Sequence, residues 1–445
     1  MTTMIVKRML FQDLLDALNL HKVIILLGSR QVGKTTLVKE ILSQQKDGIY
    51  LSLDDIAFLR RLEENPASLK SILEEEFKMP FQNIPAGSLI VVDECQKVPQ
   101  LLDQIKFLYD ANPAHFRWML TGSSALELRS RSAETLAGRS LTYQLSPFSW
   151  KEILNYREKI ESKNQQTESF LSLLLSGNLQ ENEIKKVILP HAHQKEIWLK
   201  WIDELLVFGS FPEIMLTEDP ALKWRLLENY HKTYLEKDVL QWAQIADWKG
   251  FAHLLEVSAS LNNSPIRISN LSEQTGLARD TVKKYLSILE KSFLFYEIPV
   301  FSRRVKQKIL KSSKYEWMDT GLVSVLTRAT DFATLQATGA IGTRLESWAI
   351  SQLKFATENL PLASRLYFWR TVSQDEVDVI LEHEGKLYPI EIKYSNKVRT
   401  EDLKGLRRFS EERKKEIGAK FLFYRGEYYF NSAEQVHYIP VWALF

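Results

Sequence analysis

The sequence holds a single cysteine, Cys95. An internal disulfide and a cysteine-built zinc cage are both excluded, and a reducing compartment, the cytoplasm, is the expected location. No apolar run approaches the ~20 residues that a membrane-spanning helix needs, so no membrane partner is expected. Met1 to Leu20 alternates apolar and polar residues without the continuous apolar stretch of a secretory signal. One-sided charge is missing too: 58 Lys and Arg stand against 56 Asp and Glu, a formal net charge of +2. Any nucleic-acid surface must therefore come from local clusters of cations. His191 and His193 flank Ala192 with no carboxylate or cysteine at ligand spacing, which reads as a loop pair rather than a metal site.

What is present is a globular composition, 45% hydrophobic and 26% charged. Its 445 residues suffice for two to four domains with cores of their own. The stretch Gly28-Ser29-Arg30-Gln31-Val32-Gly33-Lys34-Thr35-Thr36 reads G-x-x-x-x-G-K-T, a phosphate-cradling loop. Val23 to Leu27 before it suits a buried parallel strand, and Thr36 to Leu42 after it has helical spacing. Gly28 and Gly33 allow the tight turn that brings backbone N–H groups to phosphates. The following helix, with Thr36 in its first turn, aims its positive end at the same place. Lys34 supplies a charge to the β/γ-phosphates, and Thr35 offers a hydroxyl to Mg²⁺.

Gly48 to Asp55 reads as a second strand, and residues 56 to 77 as helical. Ser88 to Glu94 is an apolar strand ending in acids. Asp93 there can hold Mg²⁺ through water, and Glu94 can orient the water that attacks the γ-phosphate. Arg117 to Ser124 is another apolar strand; it ends either in a phosphate sensor, through Thr121 or Ser123, or in an ordinary Gly-Ser turn. Arg139 is the candidate arginine finger, with Arg129 and Arg131 competing for the role.

Further along, residues 155 to 200 read as partly solvated helices. Residues 221 to 246 read as a helix whose Trp224, Leu227, Tyr230, Tyr234 and Val239 form a core stripe. Ser269 to Gly276 reads as a short helix ending at glycine. Leu277 to Arg279 is then a turn, and Asp280 caps a second helix whose apolar positions Val282, Leu286, Leu289 and Phe293 follow the helical period. Helix, glycine turn, helix is the helix-turn-helix plan, with Phe293 to Ile298 as the first strand of a wing. Arg279, Thr281, Lys283, Lys284 and Ser287 would lie on the open face of the second helix, where groove-reading residues sit. The alternative is a packing module with a solvated basic face. Arg303 and Arg304 open a basic run without an acid, suited to phosphate contact or to a solvated linker.

Near the C-terminus, Asp378 on one strand is followed by Glu391-x-Lys393 on the next. Two carboxylates on adjacent strands can converge on Mg²⁺. Lys393 shares a face with Glu391 because strand side chains alternate, and it can activate water. Glu346, on a preceding helix, is the expected supporting acid.

The ordered segments GSRQVGKTT, LSLDD, LIVVDECQKVP, MLTGSS, LAGRS and LSPFSWKEI resemble the prokaryotic AAA+-type P-loop ATPases that carry a C-terminal PD-(D/E)XK nuclease-like domain of uncharacterised function. Ser29 is a departure, since relatives often have Pro there. The residues and the resemblance together point to an α/β fold in four parts: an AAA+-type ATPase core (1–150), a helical lid or linker (151–264), a winged-helix-like domain (265–334) and a nuclease-like α/β domain (335–445). It implies ATP and Mg²⁺ as cofactors and a homo-oligomeric ring, a hexamer in the simplest case, with Arg139 acting in trans. The expected function is ATP hydrolysis coupled to the binding and remodelling of DNA, branched or structured DNA above all. Two other readings stay open: a nucleotide-dependent signalling or defence switch whose C-terminal domain binds protein, and an ATP-regulated, Mg²⁺-dependent DNA nuclease.

Overall fold

The apolar run Val23–Leu27 is a strand, β1, with every residue buried. It lies inside a five-stranded parallel sheet with Gly48–Ser52 (β2), Ser88–Asp93 (β3), Phe116–Gly122 (β4) and Ser140–Gln144 (β5), in the order β2-β3-β4-β1-β5. Burial on both sheet faces explains why β1, β3 and β4 read as continuous apolar runs rather than alternating ones. The computed structural model describes residues 6–65, 68–123, 135–158, 169–233, 245, 247–302, 312–360, 364–371 and 373–445.

The chain divides into two compact units, the first running to Ser146 and including Lys291–Phe293, the second comprising the rest. In the first, the expected helix over 56–77 is two helices, Ile56–Glu64 and Leu69–Phe77. Asp55 caps the former by accepting the N–H of Ala57 and Phe58. Asn65, in extended conformation, ends it.

The second unit gathers the three segments expected after residue 150. Its first helix, Trp150–Arg157, starts with a capping box of Ser149 and Glu152. Of the expected stripe at 221–246, the helix Pro220–Tyr230 buries Leu227 and Tyr230; Tyr234 and Val239 lie outside the described residues. Pro265–Ile266 (β6), Phe295–Ile298 (β7) and Ser313–Trp317 (β8) form a small antiparallel sheet in the order β6-β8-β7. Helix Ile268–Thr275 ends at Gly276, whose φ of +72° is the left-handed turn glycine permits. The next helix is Arg279–Lys291, so Arg279 and Asp280 are inside it rather than turn and cap. The Ala278 carbonyl already accepts the Val282 N–H at 3.0 Å, which puts the cap at Ala278, two residues before Asp280.

Arg365–Arg370 (β9), Glu376–His383 (β10), Lys386–Lys393 (β11), Lys420–Tyr424 (β12), Tyr429–Asn431 (β13) and Val436–Pro440 (β14) form a mixed sheet in the order β13-β14-β12-β11-β10-β9. β9, β10 and β11 are an antiparallel meander, whereas β12 runs parallel to β11 and β14. Helix Lys404–Glu412 makes the crossover that a parallel β11-to-β12 step requires. The small sheet joins this larger one: Phe301 N–H donates to Phe368 O at 2.7 Å, and Val300 bridges Phe368. Among the described residues no helix is long and apolar enough to cross a membrane.

Candidate nucleotide site and C-terminal carboxylate cluster

The strand order sets the first site. β4 separates β1, which carries the phosphate loop, from β3, which carries the acids. Leu26 pairs with Thr121, and Val92 with Leu120. Thr121 therefore stands level with the start of the loop and the end of β3, between them. The loop leaves β1 at Gly28, where an added Cβ would come within 2.3 Å of the Leu145 carbonyl oxygen. It ends at Gly33, with φ +93°, before helix Lys34–Ser43. Thr36 is exposed in the first turn of that helix.

Buried Lys34 donates to the Gly28 and Ser29 carbonyls, each at 2.9 Å. Burial pulls its ammonium down to about 8, and the charges of Glu94 and Asp93 partly oppose this. Asp93 is surrounded by hydroxyls. Thr35 Oγ1 donates to its Oδ2 at 2.8 Å, Tyr50 Oη donates to the same oxygen, and Thr121 Oγ1 donates to Oδ1. Glu94 has a left-handed backbone, φ +57°, and its N–H donates to Thr121 Oγ1 at 3.2 Å. Its Oε2 accepts Ser123 Oγ at 3.0 Å and Gln96 Nε2, which also donates to Ser123 at 3.1 Å.

The donors present fit a triphosphate with its divalent cation. The Ser29 hydroxyl is buried in the loop with no hydrogen-bond partner, the Lys34 ammonium lies within the loop on the Gly28 and Ser29 carbonyls, and Gly28 packs too close to Leu145 for a side chain. Lys34, Thr35, Asp93, Glu94, Thr121 and Ser123 are thus brought together. Arg139 is not. Its carbonyl accepts the Val23 N–H at the start of β1, about 15 Å of strand from the loop. Its guanidinium binds Asp110 at 2.5 Å and 3.0 Å. Arg129 and Arg131 lie outside the described residues. Tyr50 and Gln96 are site residues that sequence reasoning missed.

In the second unit, Asp378 and Glu391 flank the end of the β10–β11 ladder, where pairing begins at Val379 and Ile390. Asp378 Oδ2 accepts the Ile392 N–H at 2.8 Å. Where Mg²⁺ was expected, the Lys393 ammonium lies 2.5 Å from Glu391 and 3.8 Å from Asp378. The alternation that puts Lys393 on the face of Glu391 lets its ammonium reach both acids. Among the described residues no three His, Cys, Asp or Glu side chains are arranged to hold a metal ion.

Two residues absent from the sequence reading complete the cluster. Lys314 of β8 is buried and pairs with Glu376 at 2.6 Å, and Asn263 donates to Glu346. Burial would lower Lys314, but Asp378 and then Glu376 outweigh it and hold the ammonium above its ordinary range. Burial, reinforced by the Asp378 charge, pushes Glu346 up to about 8 and Glu391 well above the carboxylate range. Lys314 and Glu316 alternate with Tyr315 and Trp317 along β8; Tyr315 is half-buried and Trp317 buried, and both charged residues are buried as well. The usual polar-out reading of such a strand would place them in solvent.

On helix Arg279–Lys291, Arg279, Lys283 and Lys284 are exposed and Thr281 and Ser287 half-buried, with Lys283 paired to Asp280 at 3.2 Å. Arg303 and Arg304 lie outside the described residues. His193 Nδ1 lies 2.9 Å from the Pro190 carbonyl oxygen, and His191 stacks on Trp198.

Residues 20–154 match the AAA domain family. Residues 199–333 and 341–444 match two domains of unknown function, DUF8612 and DUF4143. Asn263 and Lys314 fall in the former and the cluster's other residues in the latter. The chain is similar to the uncharacterized protein Rv2008c of Mycobacterium tuberculosis, 22% identical over 85% of this chain and 71% of that one. It is also similar to the uncharacterized protein MJ1544 of Methanocaldococcus jannaschii, 26% identical over 64% of this chain and 58% of that one. Among solved structures it is similar to the Walker-type ATPase PABY2304 of Pyrococcus abyssi, 16% identical over 72% of this chain and 96% of that one, with a TM-score of 0.45.

Proposed function

We propose that this chain, which carries an AAA-type P-loop ATPase domain at its N-terminus, hydrolyses ATP and couples hydrolysis to binding and remodelling DNA, branched or structured DNA above all, as a cytoplasmic homo-oligomeric ring. The observation that carries the reading is the hydrogen-bonded set Thr35, Asp93 and Thr121 beside Lys34 at the ends of β1, β3 and β4.

In this reading the loop N–H groups and Lys34 bind the phosphates, and Thr35 and Asp93 hold Mg²⁺. The metal, when bound, supplies charge neutralisation on the β- and γ-phosphates. Glu94 orients the attacking water and takes its proton once it leaves Ser123 and Gln96. Arg139, at the far end of its own sheet, serves a neighbouring subunit's nucleotide. The exposed Arg279, Lys283 and Lys284 on the helix after the Gly276 turn, with the small sheet following, support a winged-helix reading and contact with a nucleic-acid backbone.

As they stand, Asp378 and Glu391 share the Lys393 ammonium, Lys314 pairs with the neighbouring Glu376, and Glu346 accepts from Asn263, with no metal-holding group among the described residues. This supports a nuclease-like domain that holds nucleic acid without cutting it. ATP turnover in the wild type and in Lys34→Ala tests the first part, and equal rates would end it. Duplex, single-stranded and branched DNA titrated at low salt test the second. No binding would favour the nucleotide-dependent switch, and Mg²⁺-dependent cleavage by the wild type would favour the nuclease.

A further inference from the structure

Tyr50, on β2, is given no role by the phosphate-loop motif, yet its hydroxyl reaches the acid that would hold the metal. In the parallel β2–β3 register Tyr50 pairs with Val91 and Ser52 with Asp93, so all four side chains share one face. The phenol spans the two-residue offset, about 6.5 Å along the strand, and donates to Asp93 Oδ2. That oxygen also accepts Thr35 Oγ1 at 2.8 Å.

The ring is fixed from its other side. Lys39 Nζ sits 4.5 Å from the ring centroid, and Lys39 is one helical turn beyond Thr35 on helix Lys34–Ser43. Tyr50 thus wedges between the helix that carries the metal-binding hydroxyl and the strand that carries the metal-binding carboxylate.

We propose that Tyr50 is a positioning residue of the nucleotide site, holding the Asp93 carboxylate in the orientation that receives the divalent cation beside Thr35. The inference rests on the MgATP reading of this site. Thr35 must serve both the cation and Asp93, so it alone cannot fix the carboxylate. Two donors on Oδ2 and Thr121 on Oδ1 leave a defined lone-pair direction on Asp93 for the metal's water shell. Outer-shell partners of this kind typically change metal affinity by about 10–100-fold.

The test is Tyr50→Phe in the full chain, which removes one oxygen and keeps the ring under Lys39. A fluorescent ADP analogue is titrated in EDTA and in Mg²⁺, and Mn²⁺ bound with ADP is counted by electron paramagnetic resonance. Nucleotide affinity in EDTA should stay within about twofold, while half-saturation by Mg²⁺ or Mn²⁺ should rise about tenfold or more. An unchanged metal half-saturation would overturn the inference. So would an equal loss of affinity in EDTA, which would make Tyr50 a general support of the pocket. If the wild type itself shows no metal-enhanced nucleotide binding, the MgATP reading falls and this inference with it.

Discussion

Replacing Glu316 with Gln should remove most of one pH-dependent loss of stability. Glu316 lies on β8 with a fully buried side chain. Burial pushes its carboxyl up to about 8, with Ser347, Lys314 and Asn262 only partly opposing. In the unfolded chain the same group ionises near its ordinary value of 4.5. Between these values the folded protein keeps a proton that the unfolded chain has released, so stability falls as pH rises. Two pH units within that window, from 5 to 7, correspond to about 3 kcal/mol from this group alone. Gln is neutral throughout and close to isosteric, so Glu316→Gln should match the wild type at pH 5 to within about 1 kcal/mol. It should exceed it by a few kcal/mol at pH 8. Guanidinium unfolding at pH 5, 6, 7 and 8, followed by tryptophan fluorescence and far-ultraviolet circular dichroism, measures the difference. Asp319, pushed up to about 6 by burial, and Glu346 titrate in the same window. Only the wild-type-minus-variant slope isolates Glu316. A variant that keeps the wild-type slope, or is less stable at pH 8, would refute the argument, because the ionised pair with Lys314 would then be net favourable.

Gly28→Ala forces a Cβ against the Leu145 carbonyl oxygen at 2.3 Å. It should weaken MgATP binding at least about tenfold, the counterpart of ~1.4 kcal/mol, as read by a fluorescent nucleotide, while the fold survives. Arg139→Ala should leave MgATP affinity intact and lower turnover about 10³-fold. Mixing it with Lys34→Ala subunits should restore part of the rate, since each supplies what the other lacks; no recovery would end the trans role. Changing Arg279, Lys283 and Lys284 together to Ala should reduce the slope of log K against log[salt] for duplex DNA by up to about 3. An unchanged slope would remove that helix from the interface.

The parts of the site legible in the sequence are those whose meaning is local. Val23 to Thr36 contains strand, turn and helix start in one stretch, and Asp93-Glu94 closes a strand whose burial is written in its own residues. The same holds for the Gly276 turn. The cap lies two residues before Asp280, because a capping residue and a first-turn acid look alike until the Ala278–Val282 hydrogen bond is seen. Tyr50 and Gln96 belong to another class. Their roles depend on β2–β3 register and on the path of the chain after a left-handed Glu94, and neither leaves a periodic signal.

Lys314 carries the general lesson furthest. Alternation along Ser313–Trp317 assigns faces but not which of them is buried, and at Trp317 the second face is buried as well. That choice was made by Glu376, on a strand more than sixty residues later, and by Asn262 and Asn263 some fifty residues earlier. Lys314 is buried because a carboxylate cluster waits on the inner side, and the cluster tolerates burial because Lys314 and Lys393 are there. Each charge supplies the reason for the other's position. No window of sequence contains both, so the C-terminal site could be read as a list of acids and not as the neutralised network the fold makes of them.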